Sequence, residues 1–136
     1  MKLIRKAGLL LLRDGRILLC RKSRGTQLLI LPGGKYEGAE TAEECIRREV
    51  REELGAGVLL RGFVGTYADA AAGEVDTVVQ SDCYLGELDR EPQACAEIAE
   101  LVWFGVNDDM SLVSASLRNK ILPDLLARGL FGGPGR

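Results

Sequence analysis

Residues 41–55 read TAEECIRREVREELG, a stretch that commits the middle of the chain to a helix with defined ends. Thr41 offers an N-cap hydroxyl and Glu44 lies three residues on, the spacing of a capping box. Ala42, Cys45, Ile46, Val50 and Leu54 recur at helical spacing as an apolar stripe, and Gly55 stands where a C-cap glycine ends a helix. Glu49, Glu52 and Glu53 occupy i, i+3 and i+4, so their carboxylates share one face. Like charges at that spacing destabilise a helix by about 0.2–0.5 kcal/mol per pair. A cation relieves the repulsion, and an all-oxygen ligand set suits Mg2+ or Mn2+. Mg2+ binds through a few carboxylates plus substrate phosphates, which points to phosphate chemistry. The competing reading is a solvated helix face laced with Glu44–Arg48 and Arg48–Glu52 pairs.

The sequence contains no histidine, which removes Ser-His-Asp and Cys-His catalysis and histidine-ligated zinc. Acid–base chemistry must fall to carboxylates, lysine, tyrosine or metal-bound water. A net charge of −2 with interspersed signs leaves no electrostatic footprint for a nucleic-acid polymer. Cys20, Cys45, Cys83 and Cys95 lack C-x-x-C spacing and read as reduced thiols of a cytoplasmic protein. The apolar run Ala7–Leu12 is too short for a signal peptide and closes on the turn residues Asp14-Gly15, so it reads as a strand. No segment approaches membrane-spanning length.

Leu3–Leu12 and Arg16–Arg21 flank Asp14-Gly15 as a predicted hairpin. Leu28–Leu31 is a short extended run ended by a tight turn at Pro32-Gly33-Gly34. Beyond the central helix, Val58–Ala68, Val75–Leu88 and Leu101–Val106 read as strands. Leu112–Leu126 is helical in spacing, bent or divided at Pro123. The 136 residues form one expected domain over positions 1–130, with 131–136 a frayed, disordered tail. Strands with a helix in mid-chain and another at the end imply an α/β fold, a sheet covered on both faces.

Gly34, Glu40, Arg48, Glu49, Glu52, Glu53 and Gly55 fall in the register G-x5-E-x7-R-E-U-x-E-E-x-G-U, with apolar Val50 and Ala56 at the U positions. At average residue usage such a match arises about once in 10^8 frames. The stretch resembles the signature box of the Nudix hydrolases, MutT-like members included, without a mismatch. That resemblance implies a Nudix-type α/β/α sandwich with a mixed β-sheet. It also implies metal ligation by Glu49, Glu52, Glu53 and the Gly33 carbonyl, supported by Glu40 and by Arg48, which orients a neighbouring carboxylate.

Farther on, Glu97-Ile98-Ala99-Glu100-Leu101-Val102-Trp103 resembles the E-I-x-E-x-x-W stretch of many family members, making Glu97 a candidate metal ligand or catalytic base beside Glu53. Arg21 and Lys22 end a strand where relatives carry a basic residue facing the substrate phosphates. Tyr36, Tyr67 and Tyr84 are more readily packing residues than base-stacking platforms.

The implied activity is Mg2+-dependent hydrolysis of a nucleoside diphosphate joined to another group, with a small nucleotide as substrate and a homodimer as one open arrangement. Motifs that mark relatives acting on ADP-ribose, dinucleoside polyphosphates or coenzyme A are missing; Ala70-Ala71-Ala72 stands where ADP-ribose hydrolases carry a proline. What is left is the nucleoside triphosphate class, with ADP-ribose or nucleotide-sugar hydrolysis as the alternative. A nucleotide-binding regulator is the rival from outside enzymology, but such relatives lose box glutamates that this chain retains.

Overall fold

The computed structural model describes residues 1–133. The elements follow as β1 (Lys2–Leu10), β2 (Leu12–Arg13), β3 (Arg16–Lys22), β4 (Gly33–Lys35), α1 (Ala42–Leu54), β5 (Val58–Ala70), β6 (Thr77–Leu88) and β7 (Ile98–Phe104). A 3-10 turn (Met110–Leu112) and a π-helical turn (Leu117–Ile121) then lead into α2 (Leu122–Ala127). One sheet has the order β4-β1-β6-β5 and is mixed, with β1 parallel to β6 and the other pairs antiparallel. The other, β2-β3-β7, is antiparallel.

Alternation along the inner strands builds two cores. Leu9 and Leu11, with Leu18 and Cys20 of β3, pack against the apolar stripe of α1: Cys45, Ile46, Val50 and Leu54. Leu10, Ile17 and Leu19 point the other way, onto Leu117, Ile121, Leu122 and Leu125 of the C-terminal helical segment. Residues one apart on a strand face opposite sides, so these runs are apolar throughout because both faces are covered. The result is the expected α/β/α sandwich with a mixed sheet.

The capping signals on α1 act as read. Thr41 Oγ1 accepts from the Glu44 N–H at 3.1 Å, Glu44 Oε1 accepts from the Thr41 N–H at 2.9 Å, and Gly55 closes the helix in the left-handed conformation at φ 65°. Asp14 and Gly15 both take positive φ, the geometry of a two-residue hairpin turn.

Several expectations need correction. The first apolar run divides at Leu11 and serves both sheets as β1 and β2. Gly33-Gly34 is not a turn but part of β4, pairing with Gly8 and Ala7 of β1. Leu28–Leu31 makes only isolated bridges, Cys20 with Ile30 and Leu29 with Val113. The last strand starts at Ile98, three residues earlier than the apolar pattern suggests, because Ala99 and Glu100 are exposed edge positions. The irregularity expected at Pro123 takes the form of the π-helical turn immediately before it, where a widened turn accommodates a residue that lacks an N–H.

The tail expected to fray from Phe131 is docked at its start. Phe131 is 1% exposed in the core, and the Gly132 N–H donates to the Gly15 carbonyl at 2.8 Å. Positions 134–136 of that expected tail lie outside the described residues. Among the described residues no helix is long and apolar enough to cross a membrane.

Truncating Phe131 to alanine is therefore expected to destabilise the protein by about 3–5 kcal/mol. Urea denaturation of the variant measures it; a loss below about 1 kcal/mol would mean that the segment frays after all.

Candidate active site

The site grows from the contact of α1 with β4. A Cβ on Gly34 would overlap the Glu49 carboxylate, and one on Gly33 would overlap the Ala7 carbonyl, while Gly33 itself lies at φ 139°. Glycine is required at both positions by close approach. Glu53, 8% exposed, accepts the Gly33 N–H through Oε1 at 3.0 Å. Two box carboxylates thus press against the bare backbone of β4.

Arg48 organises the charges around them. Its Nε and Nη2 donate to both oxygens of Glu40 at 2.6 and 3.0 Å, a bidentate pair, and Nη1 donates to Glu49 Oε1 at 3.2 Å. The same nitrogen lies 3.7 Å from Glu52, and Nη2 also donates to the Lys35 carbonyl. Glu40 accepts in addition from the Glu37 N–H, tying the loop before α1 to the helix. The hydrogen bonds from Arg48, then that backbone N–H, hold the Glu40 carboxyl down at about 2.

The inner carboxylates move the opposite way. Burial, with a further push from the Glu49 charge, raises Glu53 to about 7. Burial also raises Glu49, against the pull of Arg48 and with the help of Glu52. These are half-enclosed oxygens with unmet charge, and that donor chemistry fits a hard divalent ion. Among the described residues no three acidic or sulfur side chains converge as a closed cage. A partial set agrees with an ion that keeps waters and takes ligands from substrate phosphates.

Glu97 is exposed in the turn before β7, and its carbonyl accepts from the Ser23 N–H at 2.8 Å. The preceding residues are stapled to the end of α1: the Gln93 N–H donates to the Leu54 carbonyl and the Cys95 N–H to the Glu53 carbonyl, both at 3.0 Å. Only Ala96 therefore stands between Glu97 and the residue whose backbone bonds to Glu53. Among the described residues the Glu97 side chain has no hydrogen-bond or ion-pair partner.

A cleft of about 380 Å³ adjoins β4. Ile4, Lys6 and Gly8 line it at the period of a strand, with Val79 and Ser81 of β6 and Leu117 and Ile121 of the C-terminal segment. Lys22, Arg24 and Lys35 complete a basic wall, and Glu74 is the one acid among the lining residues. Strand alternation parts that pair: Lys22 lines the cleft, whereas Arg21, on the opposite face, donates to Glu100 at 3.0 Å and is not among the lining residues.

Sequence reasoning missed Lys6, Lys35 and Ser116. The alternation of β1 could have flagged Lys6, since its same-face neighbours Ile4 and Gly8 carry no charge. The tyrosines are occupied in the fold: Tyr36 donates to Asp82, Tyr67 donates to Asp124, and Tyr84 packs edge-on to Phe63 at 5.4 Å. Trp103 lies under the Arg13 guanidinium at 4.5 Å.

The NUDIX domain family profile matches residues 2–125. Nucleoside triphosphatase NudI of an Escherichia coli O139:H28 strain is 31% identical over 114 residues, which cover 73% of this chain and 79% of that protein. The crystal structure of a MutT NUDIX hydrolase from Burkholderia pseudomallei superposes with a TM-score of 0.74 at 25% identity, covering 87% of this chain and 95% of that one. The solution structure of the E. coli ORF135 protein, at 23% identity, shares the fold with a TM-score of 0.74, covering 94% and 92%. The chain belongs to the Nudix family. It is a hydrolase of pyrophosphate bonds, of a family whose enzymes use divalent metals.

The Glu40–Arg48 pair gives a pH signature. Glu40 has a folded-state value of about 2 against an ordinary 4.5, so it stabilises the fold fully above pH 4.5 and loses that contribution as pH falls toward 2. Denaturation of wild type and Glu40→Gln across that range should show the stability gap closing as the solution is acidified. A gap constant from pH 6 to pH 2 would contradict the pairing.

Proposed function

We propose that the protein is a Mg2+-dependent pyrophosphohydrolase that converts a nucleoside triphosphate to the monophosphate and pyrophosphate. The observation that carries this reading is a cation-lined cleft opening beside the strand against which Glu49 and Glu53 are packed. The name of the E. coli relative, a nucleoside triphosphatase, supports the substrate class. A cytoplasmic setting accords with four unbridged cysteines, of which Cys45 and Cys83 are pushed by burial up to about 11 and 12 and so stay unreactive thiols.

Glu49, Glu52, Glu53 and the Gly33 carbonyl would hold the metal. Bound there, Mg2+ supplies charge neutralisation of the anhydride and polarises the attacking water. Arg48 fixes the rotamer of Glu49 through its Nη1 while Glu40 fixes Arg48, so both are positioning residues. Glu53 or Glu97 takes the proton of the water as its oxygen adds to phosphorus. The bridging P–O bond breaks and pyrophosphate leaves. Lys22 lines the cleft that receives the phosphates, with Arg21 tied back to Glu100 as the weaker candidate. Retention of every box carboxylate argues against a purely binding role.

Glu53→Gln should lower turnover of a nucleoside triphosphate at least about 10²-fold while the circular dichroism spectrum is unchanged. In wild type, excess EDTA should abolish turnover and Mg2+ should restore it. A folded variant with near-normal rate, or full activity in EDTA, would contradict the site.

Glu97 separates two roles. As base, Glu97→Gln lowers kcat sharply with KM nearly unchanged, because the group acts mainly in the transition state. As metal ligand, the same variant recovers part of its rate when Mg2+ is raised. An unchanged kcat/KM at limiting and at saturating Mg2+ would remove Glu97 from the site and leave Glu53 as the base.

A further inference from the structure

Lys6 lies on β1, an inner strand, directly opposite Lys35 of β4 in the antiparallel register. Like charges directly opposite on paired strands destabilise a sheet. Lys22 adds a third ammonium to the same cleft and Arg24 a guanidinium, against the single carboxylate of Glu74. Among the described residues none of these four cations is in an ion pair or a side-chain hydrogen bond. Elsewhere the chain pairs its arginines readily: Arg13 with Glu91, Arg61 with Glu87, Arg128 with Asp124. Lys6, half-buried, faces the cleft with no direct ion-pair partner, and the like charges of Lys22 and Lys35 act on it more strongly than the opposite charges of Glu53 and Glu74. Ser116, 4% exposed in the lining of the same cleft, keeps a buried hydroxyl with no protein partner. Unpaired charge and an unsatisfied hydroxyl in one cavity both call for a polar, anionic guest.

We infer that Lys6, acting with Lys22 and Lys35, is a binding residue for the terminal phosphates of a polyphosphate, and so selects nucleoside triphosphates over nucleotide sugars. The inference rests on the proposed hydrolysis and deepens it by assigning the choice of substrate to a residue. A nucleotide sugar presents a neutral group beyond its diphosphate and leaves part of the ammonium cluster unneutralised. A triphosphate brings further negative charge to it, in a partly enclosed site where the attraction is stronger than in water.

Lys6→Gln, Lys6→Arg and Arg61→Gln provide the test, the last removing one exposed positive charge away from the cleft. With Mg2+, Lys6→Gln should lower kcat/KM for nucleoside triphosphates about tenfold, the value of one charged hydrogen bond, and for ADP-ribose or a UDP-sugar less than about twofold. Lys6→Arg should restore most of the triphosphate rate, and Arg61→Gln should move neither substrate. In EDTA, calorimetric titration with inorganic tripolyphosphate should show binding to wild type weakened about tenfold in Lys6→Gln. Thermal melting of Lys6→Gln should be no lower than wild type, since a repulsion is removed.

Equal losses on both substrate classes, or tripolyphosphate binding indifferent to Lys6, would overturn the inference. Wild type that binds tripolyphosphate through Lys6 yet hydrolyses no triphosphate would leave the anion site standing and sink the proposed reaction instead.

Discussion

Glu53 reaches from α1 to accept the Gly33 N–H, and Glu49 lies where any side chain on Gly34 would have to go. The rest of the site follows from that seam. Two carboxylates are drawn out of water against backbone, which raises both and leaves charge that their surroundings do not satisfy. Arg48 keeps the arrangement from flying apart, since its bidentate grip on Glu40 leaves Nη1 free to hold Glu49. Folding energy is stored here in an arrangement that is poor in isolation and well suited to a cation and an anionic substrate.

The two cores decide where the seam can sit. Cys45, Ile46, Val50 and Leu54 bind α1 to one face of β1 and β3, which turns the Glu49 and Glu53 side of the helix toward β4. β4 is anchored by its register with β1, and β1 in turn carries Lys6 and Ile4 into the cleft. One strand therefore links the carboxylate seam to the cationic wall. Segment 93–97 closes the assembly by hydrogen bonding to the last turn of α1, so Glu97 travels with the helix that bears Glu53.

Local chemistry made α1 readable: its cap hydroxyl, stripe and C-cap glycine act within fifteen residues of one another. The glycine pair was misread as a turn because glycines signal conformational freedom, whereas here they permit contact between a strand and a helix; β4 exists only through its pairing with β1. Phe131 reads as tail by its glycine and proline neighbours, yet its burial is decided by a core assembled from distant strands. The cleft was least legible. Its walls come from β1, the end of β3, β4, residues 71–74 and the C-terminal segment, and nothing in any one of them announces the others. Box residues could be named from spacing alone, and strand alternation parts Arg21 from Lys22, but which of the two faces the cleft is decided by the packing of β3 among distant elements.

The most direct test of the account is product analysis. Wild-type protein with Mg2+ and a panel of nucleoside triphosphates, ADP-ribose and nucleotide sugars would be followed by phosphorus NMR, with the released species identified for each. The account predicts nucleoside monophosphate and pyrophosphate from a triphosphate, with that class turned over faster than the sugar-linked diphosphates. Release of orthophosphate and a nucleoside diphosphate, or turnover confined to the sugar-linked diphosphates, would contradict it.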